Sequence, residues 1–149
     1  MSKKNIIIIS LILFLTSCGF SPIYYNNKNV NFSIEKVYYT GDREFNNFLK
    51  INLDKYKNKE VDNKIFIEAE SKYEKNVLTK DSTGKVTSYK LEVQVTFLVK
   101  SNNKKIKITE KKIIDSMDDK FEETRRVKSV KQSFASSISS KLLTELTIN

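Results

Sequence analysis

The stretch Tyr89-Lys90-Leu91-Glu92-Val93-Gln94-Val95-Thr96-Phe97-Leu98-Val99 decides the fold. Tyr89, Leu91, Val93, Val95, Phe97 and Val99 alternate with Lys90, Glu92, Gln94, Thr96 and Leu98. Side chains of a strand point alternately to opposite faces, so this period of two predicts a strand with one face in a core. Immediately upstream, Asp81-Ser82-Thr83-Gly84 has the turn chemistry of a hairpin. Before it, Lys64 to Val77 alternates again, with Ile65, Ile67, Ala69 and Tyr73 facing one way and Glu68, Glu70, Lys72 and Glu74 the other. Downstream, Ser101-Asn102-Asn103-Lys104 makes a second turn, and Ile106 to Ile114 returns as the third strand of a meander. The alternation slips between Ile108 and Ile113, which predicts a bulge near Lys111.

Further outward the period changes to that of a helix. Asp42 is placed to cap a helix from Arg43 to about Lys57, whose Phe45, Phe48, Leu49, Leu53 and Tyr56 share one face. Lys55, Lys57 and Lys59 complement the helix dipole, and Asn58 can take the terminating left-handed position. Phe32 to Tyr39 precedes this helix as a first strand; its phase shifts from Phe32 and Ile34 to Val37 and Tyr39, which again implies a bulge. At the other end, Asp118 or Asp119 caps a long helix, with Glu122 in capping-box spacing from Asp119. Val127, Val130, Phe134, Ile138, Leu142 and Leu146 form its apolar stripe, and Lys128, Lys131 and Gln132 fall among the remaining positions. The order is β-α-β-β-β-α. An α+β two-layer sandwich, a four-stranded mixed sheet with two helices on one face, buries every stripe. The helical crossover lets the first strand lie parallel to a neighbour, while the meander is antiparallel.

The N-terminus sets the compartment. Lys3 and Lys4 precede an apolar run from Ile6 to Leu15, broken only by Ser10. That is the charged and apolar plan of a signal peptide, and the run is far short of the roughly 20 residues that a spanning helix needs. Leu15-Thr16-Ser17-Cys18 then stands where cleavage would occur, and this order looks like a bacterial lipobox. A thiol at that position takes a diacylglyceryl group, and the amine freed by cleavage can be acylated in turn. Each buried methylene contributes about 0.8 kcal/mol, so two or three chains make a stable anchor. Cys18 is the only cysteine, and acylation explains a lone thiol in an exported chain. Residues 1–17 read as signal, 18–31 as a lipidated tether and 32–149 as the α/β domain.

Cys18-Gly19-Phe20-Ser21-Pro22-Ile23-Tyr24 resembles the mature start of the lipopolysaccharide-assembly lipoprotein family LptE, whose members commonly begin Cys-Gly-Phe, a variable residue, Pro, an aliphatic residue and Tyr. A following Gly, common in that family, is replaced by Tyr25. The resemblance implies the same small α/β sandwich, a location on the periplasmic face of the outer membrane, and a partner, the β-barrel LptD. In that family the lipoprotein sits inside the barrel, helps it assemble and assists lipopolysaccharide insertion into the outer leaflet. Gly19 beside the acylated cysteine fits outer-membrane sorting.

Composition narrows the chemistry. The chain has no histidine, and its one cysteine is committed to lipid, so no enzyme, metal or cofactor is expected beyond the covalent lipid on Cys18. Glu68, Glu70 and Glu74 offer paired carboxylates, but interleaving with Lys72 and Lys90 reads as a solvated sheet face. Asp115, Asp118 and Asp119 lack calcium-loop spacing and read as turn and cap residues. The net charge of +9 falls to +7 once Lys3 and Lys4 leave with the signal. An exported chain meets anionic lipid rather than nucleic acid, although heavy use of Lys, Asn and Ile together is also what AT-rich codons produce. Lys80 and Lys85 at one turn and Lys104 and Lys105 at the other are the candidate ligands for lipopolysaccharide phosphates, and the two turns lie at opposite ends of the shared strand. Arg125 and Arg126 suit bidentate recognition of an anion or an internal pair with Glu122 or Glu123. Two other functions fit the same features: an accessory lipoprotein of another envelope machine, and a periplasmic lipid carrier with an apolar pocket between helices and sheet.

Overall fold

A computed structural model describes residues 30–57 and 60–148. The chain divides into two units, Met1–Val30 and Asn31–Asn149, and the second carries every described strand and helix. In order these are β1 (Ser33–Gly41), α1 (Arg43–Leu53), a single 3-10 turn (Asp54–Tyr56), β2 (Lys64–Lys80), β3 (Val86–Val99), β4 (Lys104–Asp115) and α2 (Lys120–Thr147). The strands form one sheet in the order β1-β2-β3-β4. β1 lies parallel to β2, and the two remaining pairs are antiparallel. This is the mixed four-stranded sheet with two helices that the alternating stripes require.

One face of the sheet is sealed by the helices. Ile65, Ile67 and Ala69 of β2, Leu91, Val93, Val95, Phe97 and Val99 of β3, and Ile106, Ile108 and Ile114 of β4 are buried there. Phe45, Leu49 and Leu53 of α1 and Val130, Phe134, Ile138 and Leu142 of α2 fill the space above them. Val127 and Leu146, at the ends of the α2 stripe, are only half-buried. Among the described residues no helix is long and apolar enough to cross a membrane.

The boundaries follow local chemistry. Asp42 caps α1 by accepting from the Phe45 amide at 2.7 Å, and Asp119 caps α2 by accepting from Phe121 and Glu122 at 2.8 and 3.2 Å. Helix α1 ends at Leu53, earlier than its apolar spacing predicts. The tighter 3-10 turn takes three residues per revolution, so Tyr56, three after Leu53, stays on the core side with it. Lys57 closes this turn on Asp54 at 2.6 Å. Asn58 and Lys59 lie outside the described residues. Gly41, at φ +95°, packs so closely on β2 that a Cβ would sit 1.8 Å from the Ser71 carbonyl oxygen.

The bulge expected in β1 falls between Ile34 and Lys36. The bulge expected near Lys111 is absent: β3 and β4 pair without a break from Ser88↔Asp115 to Val99↔Lys104. The register survives because Glu110 and Lys112 occupy core-side positions while Ile113 is given up to the opposite face, 60% exposed. Glu110 is tolerated there because Ser137 and Lys141 of α2 reach it at 2.6 and 2.7 Å. The irregularity lies instead in β2, around Leu78 beside the hairpin, and β2 runs on to Lys80. That hairpin closes on Asp81, whose carboxylate accepts from the amides of Thr83 and Lys85, with Gly84 at φ +85°.

Candidate functional site

Two charged groups buried under the helices escape the sequence reading. Lys131 is 6% exposed; its Nζ lies 2.7 Å from Glu44, 3.7 Å from the capping Asp42 and 3.9 Å from the centre of the Tyr73 ring. Burial, then the charges of Asp42 and Glu44, push the Tyr73 phenol up to about 12. Glu123 is 5% exposed and accepts from Lys75 at 2.7 Å, Lys120 at 3.3 Å, the Ser116 hydroxyl at 3.2 Å and the Met117 amide at 3.1 Å. The Lys75 bond outweighs burial, and with the Met117 amide and Lys120 it holds this carboxyl down to about 2. Both positions were visible as spacing: 123, 127, 130 and 134, and 127, 131, 134 and 138, continue the α2 stripe by threes and fours. Buried and fully partnered, they tie α2 to α1 and to the β2–β3 hairpin and are structural groups.

The turn lysines separate as the topology demands. Lys80 stands opposite Val86 at the hairpin end, and Lys104 opposite Val99 at the other end of β3. Lys85 is bound to Asp118 at 2.6 Å, and Lys104 donates to the Glu145 carbonyl and carboxylate, both at 3.2 Å. Lys105 is exposed on the opposite face of the sheet. Arg125 takes the internal alternative and pairs with Glu122 at 2.8 Å. The motif residues Cys18, Gly19, Phe20, Pro22, Ile23 and Tyr24, and the signal and tether, lie outside the described residues.

Among the described residues no helix or strand covers the face of the sheet away from the helices. It is laced by ion pairs, Lys72–Glu74 and Lys100–Glu68 at 2.7 Å between exposed groups, and Lys90–Glu92 and Lys111–Glu92 at 3.2 Å on a half-buried Glu92. Such pairs contribute little to stability. The carboxylates Glu68, Glu70 and Glu74 therefore sit on a solvated face. One end of this face is hollowed into an open groove of about 530 Å³, lined by Tyr38, Glu68, Leu98 and Lys105 with Thr40, Glu70 and Thr96 beside them. Tyr38 is half exposed at 50% and nearby Phe66 at 43%, aromatic surface that the sequence did not place. The β1 bulge is what turns Tyr38 outward, and a phase shift alone does not reveal which neighbours it meets.

No protein-family model matches the sequence, and no curated protein matches it significantly. Solved structures share its fold. The rare lipoprotein B of Shewanella oneidensis superposes with a TM-score of 0.55 at 14% identity, covering 74% of this chain and 92% of that one. A lipoprotein B of Nitrosomonas europaea gives 0.51 at 16% identity over 80% and 87% of the two chains. A minor lipoprotein of Acinetobacter baumannii gives 0.50 at 15% identity over 74% and 94%. At these identities the likeness establishes the architecture.

Proposed function

We propose that this chain is an LptE-like lipoprotein: anchored by lipid on Cys18 to the periplasmic face of the outer membrane, it plugs an LptD-type β-barrel, assists its assembly and helps pass lipopolysaccharide to the outer leaflet. The observation that carries this reading is the sequence Cys18-Gly19-Phe20-Ser21-Pro22-Ile23-Tyr24 directly after a short apolar signal, heading a domain with the fold of bacterial lipoproteins. A lipobox requires the cysteine and small residues before it; Phe20, Pro22 and Tyr24 go beyond that requirement. The mechanism needs no covalent step. Affinity comes from complementary surface, and the protein acts as plug and chaperone. Its ready supply of lysines suits a lipid that carries phosphates.

A periplasmic lipid carrier would need apolar room between helices and sheet, whereas Phe45, Leu49, Phe97, Ile138 and Leu142 close that space with no exposed surface of their own. The described groove lies on the other face. Depletion of the protein tests the function. Correctly assembled barrel in the outer membrane and lipopolysaccharide at the cell surface should fall together; unchanged levels of both would contradict the proposal.

A further inference from the structure

Strand β4 is an open edge of the sheet. It pairs with β3 along one side, and among the described residues no strand lies along the other. Such an edge presents a row of main-chain N–H and C=O groups outward, from every second residue. Helix α2 reaches the strand at Lys104 and Glu110, yet Lys112, on the helix side, is exposed, so the helix does not close the edge there. Sheets commonly blunt an open edge with a bulge, a proline or a short strand. β4 has none of these: its 12 residues contain no proline and pair with β3 without a break. Instead it carries five lysines, Lys104, Lys105, Lys107, Lys111 and Lys112, against two carboxylates, Glu110 and Asp115. From this juxtaposition of an unbroken open edge and a ladder of lysines we infer that β4 docks an extended acidic segment of another protein, laid antiparallel along it as a further strand.

The chemistry selects that occupant. Lys105, Lys107 and Lys111 stand on the face away from the helices and Lys104 and Lys112 on the other, so positive charge flanks the open main chain on both sides. A strand lying beside β4 brings its own side chains within about 5.5 Å of these positions on both faces. Lys104 and Lys111 already pair with Glu145 and Glu92, whereas Lys105, Lys107 and Lys112 have no ion pair among the described residues. Incoming carboxylates would supply one. A polyphosphate only accepts hydrogen bonds and leaves the outward carbonyls of β4 unserved, while a peptide main chain answers both donor and acceptor. A second copy of β4 would bring five more lysines against these five, and like charges facing each other across a ladder are destabilising. The lysines thus turn away the chain's own kind, and the regular geometry keeps the edge able to pair with its opposite. Ile113, 60% exposed beside the charges, offers an apolar position that an aliphatic side chain of the incoming strand would cover.

Docking at β4 goes beyond the barrel reading and does not rest on it. Its test is fluorescence-polarisation titration of the detergent-solubilised full chain against the labelled peptide Val-Glu-Glu-Thr-Thr-Val-Glu-Thr-Glu. In antiparallel register this peptide sets Val against Ile113 and glutamates against Lys112, Lys111, Lys107 and Lys105. Saturable binding that weakens with salt is expected. Lys105→Glu combined with Lys107→Glu should weaken it roughly tenfold. Lys55→Glu combined with Lys128→Glu, the same change in charge on exposed residues of other elements, should bind as the parent does, and both double variants should melt as the parent does. Methylating the main-chain nitrogens of alternate peptide residues strips donors from one edge only. One alternation should therefore abolish binding and the other keep it, and the unmethylated peptide should protect every second amide of β4 from hydrogen exchange. Absence of saturable binding, equal binding of the two methylated forms, or polyphosphate binding as tightly as the peptide would overturn the proposal, as would β4 amides already protected in a dimer of the parent. Recovery of the barrel by a chain that binds no peptide would sink this edge and leave the proposed function intact. Peptide binding by a chain that captures no barrel would do the reverse.

Discussion

The same four strands present two unlike faces. Under the helices, Val93, Val95 and Phe97 are fully buried, and the charges that intrude, Lys131, Glu123 and Glu110, each meet named partners on a second element. On the bare face the intervening residues, Glu92, Gln94, Thr96 and Leu98, are half-buried by their neighbours alone, and their charges pair in solvent. The contrast separates two duties. The covered face carries the stability; the bare face, whose ion pairs contribute little, is free to be shaped for recognition.

The largest effect belongs to the covered face. Phe97→Ala should remove about 3–5 kcal/mol, a large share of the 5–15 kcal/mol typical of a domain, read from urea unfolding. A loss well under 1 kcal/mol would mean that the central strand is not the core. Lys131→Ala comes next. It strands Glu44 and Asp42, yet both retain some solvent, so about 1–3 kcal/mol is expected rather than the full penalty of a broken buried pair. Unchanged stability would show that the buried cation is dispensable.

A smaller effect depends on pH. Glu123 ionises near 2 when folded, against an ordinary value of 4.5. A depressed folded value means stabilisation that is complete above about 4.5 and lost as pH falls through about 2. Thermal melting of the parent should therefore fall more steeply over that window than that of Glu123→Gln, and parallel slopes would remove Glu123 from the account. Smallest of all is Lys111→Ala on the bare face, for which no measurable change in Tm is expected. A clear drop there would erase the difference between the faces.

Much of the covered face was legible because periodicity reports burial. The strand from Tyr89 to Val99, the Asp42 and Asp119 caps and the Asp81 to Gly84 turn each rest on local chemistry, and local chemistry decided them. Where tertiary partners decide, the reading failed. Ile113 looked like a core residue displaced by a bulge, but Lys141 and Ser137 made Glu110 acceptable inside and left Ile113 outside. Lys131 looked like a solvent-facing residue until Glu44, far away in the chain, came to meet it. The groove was hidden for the same reason. Tyr38, Glu68, Leu98 and Lys105 stand on four different strands, and only the register brings them into one row.

The claim that organises all of this is that the chain serves a membrane barrel, and one measurement meets it directly. Membranes solubilised gently and drawn through a C-terminal tag on this protein should yield, by mass spectrometry, a large outer-membrane β-barrel of the LptD type in near-equal amount. Recovery of the protein alone, or with a different envelope complex, would contradict the account and leave only a two-layer domain behind a lipobox.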